Sequence, residues 1–135
     1  MRKLAAMAGL LALWVAAALA AGSQHTVSVT LNYDFSVDNA CSSTLTTGCV
    51  KQFNIYDITG GATPVKLFTI AAPSGANSAV TGITGTSGAV TLKAGVHTFA
   101  ATAQMADGTE SNPNASTATA TVAPGSPVSF SVTVQ

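Results

Sequence analysis

Charge is scarce in this chain: Asp, Glu, Lys and Arg make up only 7% of its 135 residues, and their formal balance is zero. Two of the five basic residues, Arg2 and Lys3, stand ahead of an apolar run at the N-terminus. Beyond it, Lys51, Lys66 and Lys93 face Asp34, Asp38, Asp57, Asp107 and Glu110, three cations against five anions and a net charge of −2. No basic patch is left to neutralise phosphates, which argues against nucleic acid as a partner. Nor does a polybasic stretch remain to hold an anionic membrane surface. Histidine and cysteine are scarcer still, with His25, His97, Cys41 and Cys49 the complete set. A structural zinc site takes four ligands and a catalytic one at least three, so two cysteines with two distant histidines make a poor metal centre. No nucleophile-base-orienter set and no phosphate-binding glycine loop is present. The expectation is a protein that is not an enzyme and has no metal or cofactor.

What is present begins with the leader. Arg2 and Lys3 precede an apolar run from Leu4 to about Ala18, which closes in the small residues Ala18-Leu19-Ala20-Ala21-Gly22. This three-part pattern predicts a cleavable secretory signal helix over residues 1–21, followed by one domain over 22–135. The competing reading is a retained membrane anchor, for which the run is short against the roughly 17–25 residues a spanning helix needs. Either places the protein outside the cytoplasm: secreted, periplasmic or on the cell surface, with no membrane contact after cleavage.

Export decides the reading of the two cysteines in ACSSTLTTGCV, residues 40–50. A redox pair is expected as C-x-x-C at a helix N-terminus, whereas seven residues separate these two. A nucleophilic thiol needs a histidine base and would be oxidised in such a compartment. The remaining role is a Cys41–Cys49 disulfide closing a loop too polar to pack itself down.

The rest of the chain alternates. From His25 to Val37, Val27, Val29, Leu31, Tyr33, Phe35 and Val37 fall on one face, with Thr, Ser, Asn and Asp on the other, the period of a half-buried strand. Further short runs rich in β-branched residues lie at 50–58, 64–72, 89–92, 95–104, 115–123 and 127–134. Clusters such as TGGATP, APSGAN, ADGTESNPN and APGSP separate them, glycine permitting positive φ and proline withholding a ladder donor. About seven strands at this spacing predict an all-β antiparallel sandwich or small barrel. A β-solenoid is disfavoured because no fixed-period repeat is found.

The order of VTLNYDFS (29–36), FNIYDITGG (53–61) and LKAGVHTFAATAQMADGTESNPNAS (92–116) resembles a fibronectin type III or related immunoglobulin-like domain, over about residues 27–122. Tyr33 stands where that family usually has tryptophan, and His97 or Thr98 where its corner tyrosine belongs. The resemblance implies a sandwich with alternate loops at each pole, gathering 38–50, the region near 73–88, and 106–114. Loops on a rigid scaffold are a common seat of recognition, and Asp38, Asn39, Asp107, Glu110, Asn112 and Asn114 are the candidate binding residues there. Calcium on the last four matches no known loop spacing. Asp34 and Asp38 read as solvated carboxylates rather than a glycosidase pair. Tyr56 and Phe68 read as strand packing rather than sugar-stacking platforms, and Asn114-Ala115-Ser116 is a glycosylation sequon.

Set against the family pattern, one strand is missing before VTLNY and one, PVSFSVTVQ, is surplus. If the surplus strand folds back beside the strand before it, the chain is a monomeric binding or adhesion module for a protein or surface-glycan partner. If residues 127–134 insert into a neighbour, the chain is a fibre or surface-layer subunit built by strand addition. The short APGSP connection favours the first reading.

Overall fold

The computed structural model describes residues 22–61 and 63–135; the signal segment expected over 1–21 lies outside the described residues. Among the described residues the structure is all-β, with nine strands: β1 (Ser23–His25), β2 (Val27–Asp34), β3 (Val50–Asp57), β4 (Val65–Ala71), β5 (Ala79–Thr86), β6 (Val90–Leu92), β7 (Gly95–Met105), β8 (Thr117–Val122) and β9 (Val128–Thr133). Two 3-10 turns, Thr59–Gly61 and Pro113–Ala115, interrupt the connections.

The strands form a four-stranded sheet in the order β4-β3-β7-β8, a three-stranded sheet β5-β2-β9, and the small pair β1-β6. Side-chain alternation sets the inner faces. Val27, Val29 and Leu31 of β2 and Val128, Phe130 and Val132 of β9 are buried together with Phe53 and Ile55 of β3, Ile70 of β4, and Phe99, Ala101 and Ala103 of β7. The two larger sheets therefore share one core, as in a sandwich. Aromatic rings join the layers: Phe99 stacks on Phe130 with centroids 4.6 Å apart, and Tyr33 meets Phe53 edge-on at 5.3 Å.

The structure corrects the sequence reading in three places. Nine strands replace about seven, because β1 was not foreseen and the Thr/Gly-rich stretch near 73–88, expected as a connection, contains β5. In AVTGITGT the inward Val80 and Ile83 are three residues apart rather than two, because the ladder between β2 and β5 shifts register between Leu31 and Tyr33. Gly82, at φ +75°, takes the left-handed conformation of this bulge, and its N–H donates to Asn32 Oδ1 at 3.1 Å. Second, β2 ends at Asp34, so Val37 lies beyond the strand and 81% exposed.

Third, β9 packs near β8 but does not hydrogen-bond to it as a neighbouring strand. It crosses to the other sheet and pairs with β2, the one parallel ladder between strands in the described residues. β9 has one apolar face to bury and β2 has a free edge; Val128 N–H donates to Thr26 O and Val134 N–H to Asn32 O, both at 2.9 Å. The crossing is held by His25, whose Nδ1 lies 2.8 Å from the Ser126 carbonyl while Nε2 lies 2.7 Å from Ser23 Oγ. A carbonyl can only accept, so Nδ1 carries the proton and Nε2 accepts from the serine hydroxyl.

Candidate functional site

Strands β2, β4 and β7 end, and β3, β5 and β8 begin, at the same pole of the molecule. The Cys41–Cys49 disulfide closes the loop between β2 and β3, with Cα atoms 5.0 Å apart. Disulfides persist in oxidising compartments. The ring is the hub on which the other loops hang. Cys41 N–H donates to Val50 O and Val50 N–H to Asn39 O, fixing its neck. Ala40 N–H donates to Ala76 O at 2.8 Å and Gly75 N–H to Cys41 O at 3.0 Å, which ties on the β4–β5 connection. Ala106 N–H donates to Cys49 O at 2.9 Å, which ties on the β7–β8 hairpin.

The structure separates the six candidate residues. Glu110 turns back over the outer face of the four-stranded sheet, where it accepts from Tyr56 Oη at 2.8 Å and Thr102 Oγ1 at 2.6 Å. Burial and the Glu110 hydrogen bond and charge push the Tyr56 phenol up to about 12. Burial opposes ionisation of Glu110, but donors from Thr102, Tyr56 and Asn54, with the charge of Lys66, hold its carboxyl below the usual range. Beneath it, fully buried Asn54 reaches Gln104 Oε1 at 3.3 Å and accepts from Gln52 at 3.1 Å. Asp107 Oδ1 accepts from Thr109 N–H at 2.9 Å, and the Thr109 backbone and side chain hold its carboxyl low. Asn112 caps the 3-10 turn through Asn114 N–H, and Asn114 and Asn39 are exposed. Among the described residues no three His, Cys, Asp or Glu side chains gather as metal ligands.

Asp38 lies elsewhere, on a concavity of about 470 Å³ beside the ends of β2 and β9 and the start of β5. Its walls are mostly apolar, drawn from Tyr33, Val37, Val80 and Val134, and Asp34 shares the rim with Asp38. The Asp34 carboxyl is held below its usual range by the Ser36 side chain and backbone, the latter donating to Oδ1 at 2.9 Å. Burial and then the charges of Asp38 and Asp34 raise the Tyr33 phenol. Sequence reasoning named Asp38 but missed this cavity, having read Tyr33, Val37 and Val134 as the buried face of strands and Val80 as part of a connection. The one available signal was Val37, an aliphatic residue followed at once by the polar pair Asp38-Asn39.

At the opposite pole His97 is buried, with Nδ1 2.8 Å from Asp57 Oδ2 and Nε2 2.8 Å from the Lys93 carbonyl. Burial opposes ionisation of Asp57, but hydrogen bonds from Thr59 and from His97 outweigh it and lower its carboxyl. His97 therefore packs and pins the start of β7. Phe68 lies opposite Ile55 and contributes to the core, whereas Tyr56 lies on the outer face opposite Lys66. Comparison with known protein families, curated proteins and solved structures finds no match.

Proposed function

We propose that the chain is an exported, non-catalytic binding or adhesion module of the fibronectin type III or immunoglobulin-like kind, recognising a partner through the loop pole. The observation that carries this reading is the joined construction of that pole. A disulfide ring takes hydrogen bonds from both neighbouring loops, beside an apolar concavity with two carboxylates at its rim. Loops fixed in this way lose little freedom on binding, which favours affinity. The sheet order β4-β3-β7-β8 against β5-β2 supports the immunoglobulin-like assignment, with β9 in the edge position beside β2. Pairing of β9 with β2 inside one chain supports a self-contained monomer over strand exchange between subunits.

The test is retention of the processed chain on the surface of cells of its source. The wild-type chain should be retained, and a Cys41→Ser/Cys49→Ser variant or Val37→Asp should lose retention. Val96→Asp, an exposed change in β7 at the sandwich's opposite end, should not. Equal retention of all four would remove the loop pole from the function. N-terminal sequencing of the exported chain tests cleavage near Ala20–Ala21.

A further inference from the structure

We propose that the concavity beside β2 and β5 is a seat for an arginine side chain and its aliphatic neighbour on a basic peptide segment of a protein partner. This rests on the binding-module reading and names the chemistry of its ligand. The walls are apolar: the Tyr33 ring, Val37, Val80 and Val134. At about 470 Å³ the space falls within the range of about 300–1,000 Å³ typical of ligand sites. Val37 is 81% exposed. It is held out because Asp34 accepts from Ser36 N–H and so fixes the turn directly before it.

Charge selects the occupant. Asp34 and Asp38 sit on the rim, and the single ion pair among the described residues, His97 with Asp57, is at the other pole. Neither rim carboxylate is thus in an ion pair among the described residues, and Asp34, whose Oδ1 accepts from Ser36 N–H, keeps its second oxygen for a cation. Arginine matches both features at once, since its methylene stem covers apolar surface while the planar guanidinium donates in pairs to carboxylate oxygens. An acidic ligand would be repelled by the two carboxylates, and a neutral polar one could donate to them but would leave their charge uncompensated.

The probe is the peptide acetyl-Gly-Arg-Leu-Arg-Gly-amide, titrated into the ¹⁵N-labelled processed chain. The same peptide with citrulline in place of arginine keeps the shape and three of the five N–H donors, exchanges one nitrogen for a carbonyl oxygen, and removes the charge. The expected result is a saturable shift of the amides of Val37, Asp38, Val80 and Thr81, weakening as salt is raised. Citrulline, or the double change Asp34→Asn with Asp38→Asn, should weaken binding at least about fivefold, the scale of two exposed charge pairs. Val37→Ser should weaken it too, while Asp107→Asn should not. Asparagine still accepts from Ser36, so these variants keep the turn. Absence of saturable shifts at millimolar peptide, equal binding of the citrulline peptide, or an equal effect of Asp107→Asn would each overturn the proposal. Retention on cells without arginine-peptide binding would reject this ligand and leave the module reading standing.

Discussion

Gly85 offers a direct measure of how closely the two sheets meet. It lies in β5 opposite Val29, and its bare Cα faces Ile70 of β4 in the other sheet. A methyl group added there would stand 2.4 Å from Ile70 Cγ1, 2.6 Å from Cδ1 and 3.3 Å from Cγ2, against about 3.5–4.0 Å for an ordinary carbon contact. Ile70 is only 6% exposed and has little room to turn away. Overpacking of this kind costs about 1–3 kcal/mol. Gly85 lacks positive φ, so alanine fits the backbone and recovers about 0.4–1 kcal/mol by restricting the unfolded chain. Gly85→Ala should therefore destabilise by about 0.5–2 kcal/mol, read as a lower urea midpoint at unchanged slope. Ile70→Ala alone should cost about 2–5 kcal/mol. In that background the clashing atoms are gone and the new methyl enters the space they left. Gly85→Ala should then be neutral or stabilising, a coupling of about 1–3 kcal/mol in the double-mutant cycle. An equal loss in both backgrounds would refute contact between β5 and β4 across the core.

Three further outcomes follow from other contacts. Thiol titration of the exported chain, denatured without reductant, should find no free thiol, and reduction should cost roughly 2.5 kcal/mol by the chain-entropy account of a ring this size; two free thiols would refute the disulfide. Asp57 has its folded-state carboxyl held below the unfolded value, so its stabilisation is present above the unfolded pKa of about 3.9 and is lost as pH falls through the lower folded one. The gap in melting temperature between wild type and Asp57→Asn should accordingly close as pH falls below about 4, and a gap that persists undiminished in acid would contradict hydrogen bonding of the ionised carboxylate by Thr59 and His97. Removing residues 125–135 strips the four buried side chains Val128, Phe130, Val132 and Val134, roughly 6–10 kcal/mol of burial against a total stability of about 5–15; light scattering should show a monomeric full chain and an unfolded or aggregated truncation that the peptide 127–135 restores in trans, whereas concentration-dependent polymers abolished by truncation would favour strand exchange.

What could be read from the chain was whatever a residue's own neighbours decide. Alternation in VSVTLNYD and VSFSVT announces two strands with one buried face each, and the structure buries those faces. The same alternation is silent on partners. VSFSVT would suit an edge beside β8 or one beside β2, and the choice lies in a core shared with Phe99, 31 positions along the chain from Phe130. β5 was hidden for a different reason. Its bulge at Gly82 breaks the period on which strand recognition depends, and the glycines that permit the bulge and the close approach to Ile70 give the segment the composition of a loop.

The site divides along the same line. The disulfide was legible because two cysteines in a chain whose leader predicts export leave one intramolecular pairing, and elimination needs no coordinates. The polar loop residues were legible as polar, but their hydrogen bonds depend on side chains remote in sequence. Glu110 reaches Tyr56, 54 positions away, and is drawn onto the outer sheet face. Asp34, set aside as a solvated carboxylate, shares with Asp38 the rim of a cavity whose walls come from 32–38, 79–81 and 133–135. No local window spans those three segments. It is the β2–β5 bulge and the parallel seating of β9 that bring them together. A change in either ladder, such as Gly82→Val in the bulge, should therefore alter the cavity before it alters the disulfide ring, whose bonded neck at Asn39, Cys41 and Val50 is built from the opposite sheet's first strand and its own loop.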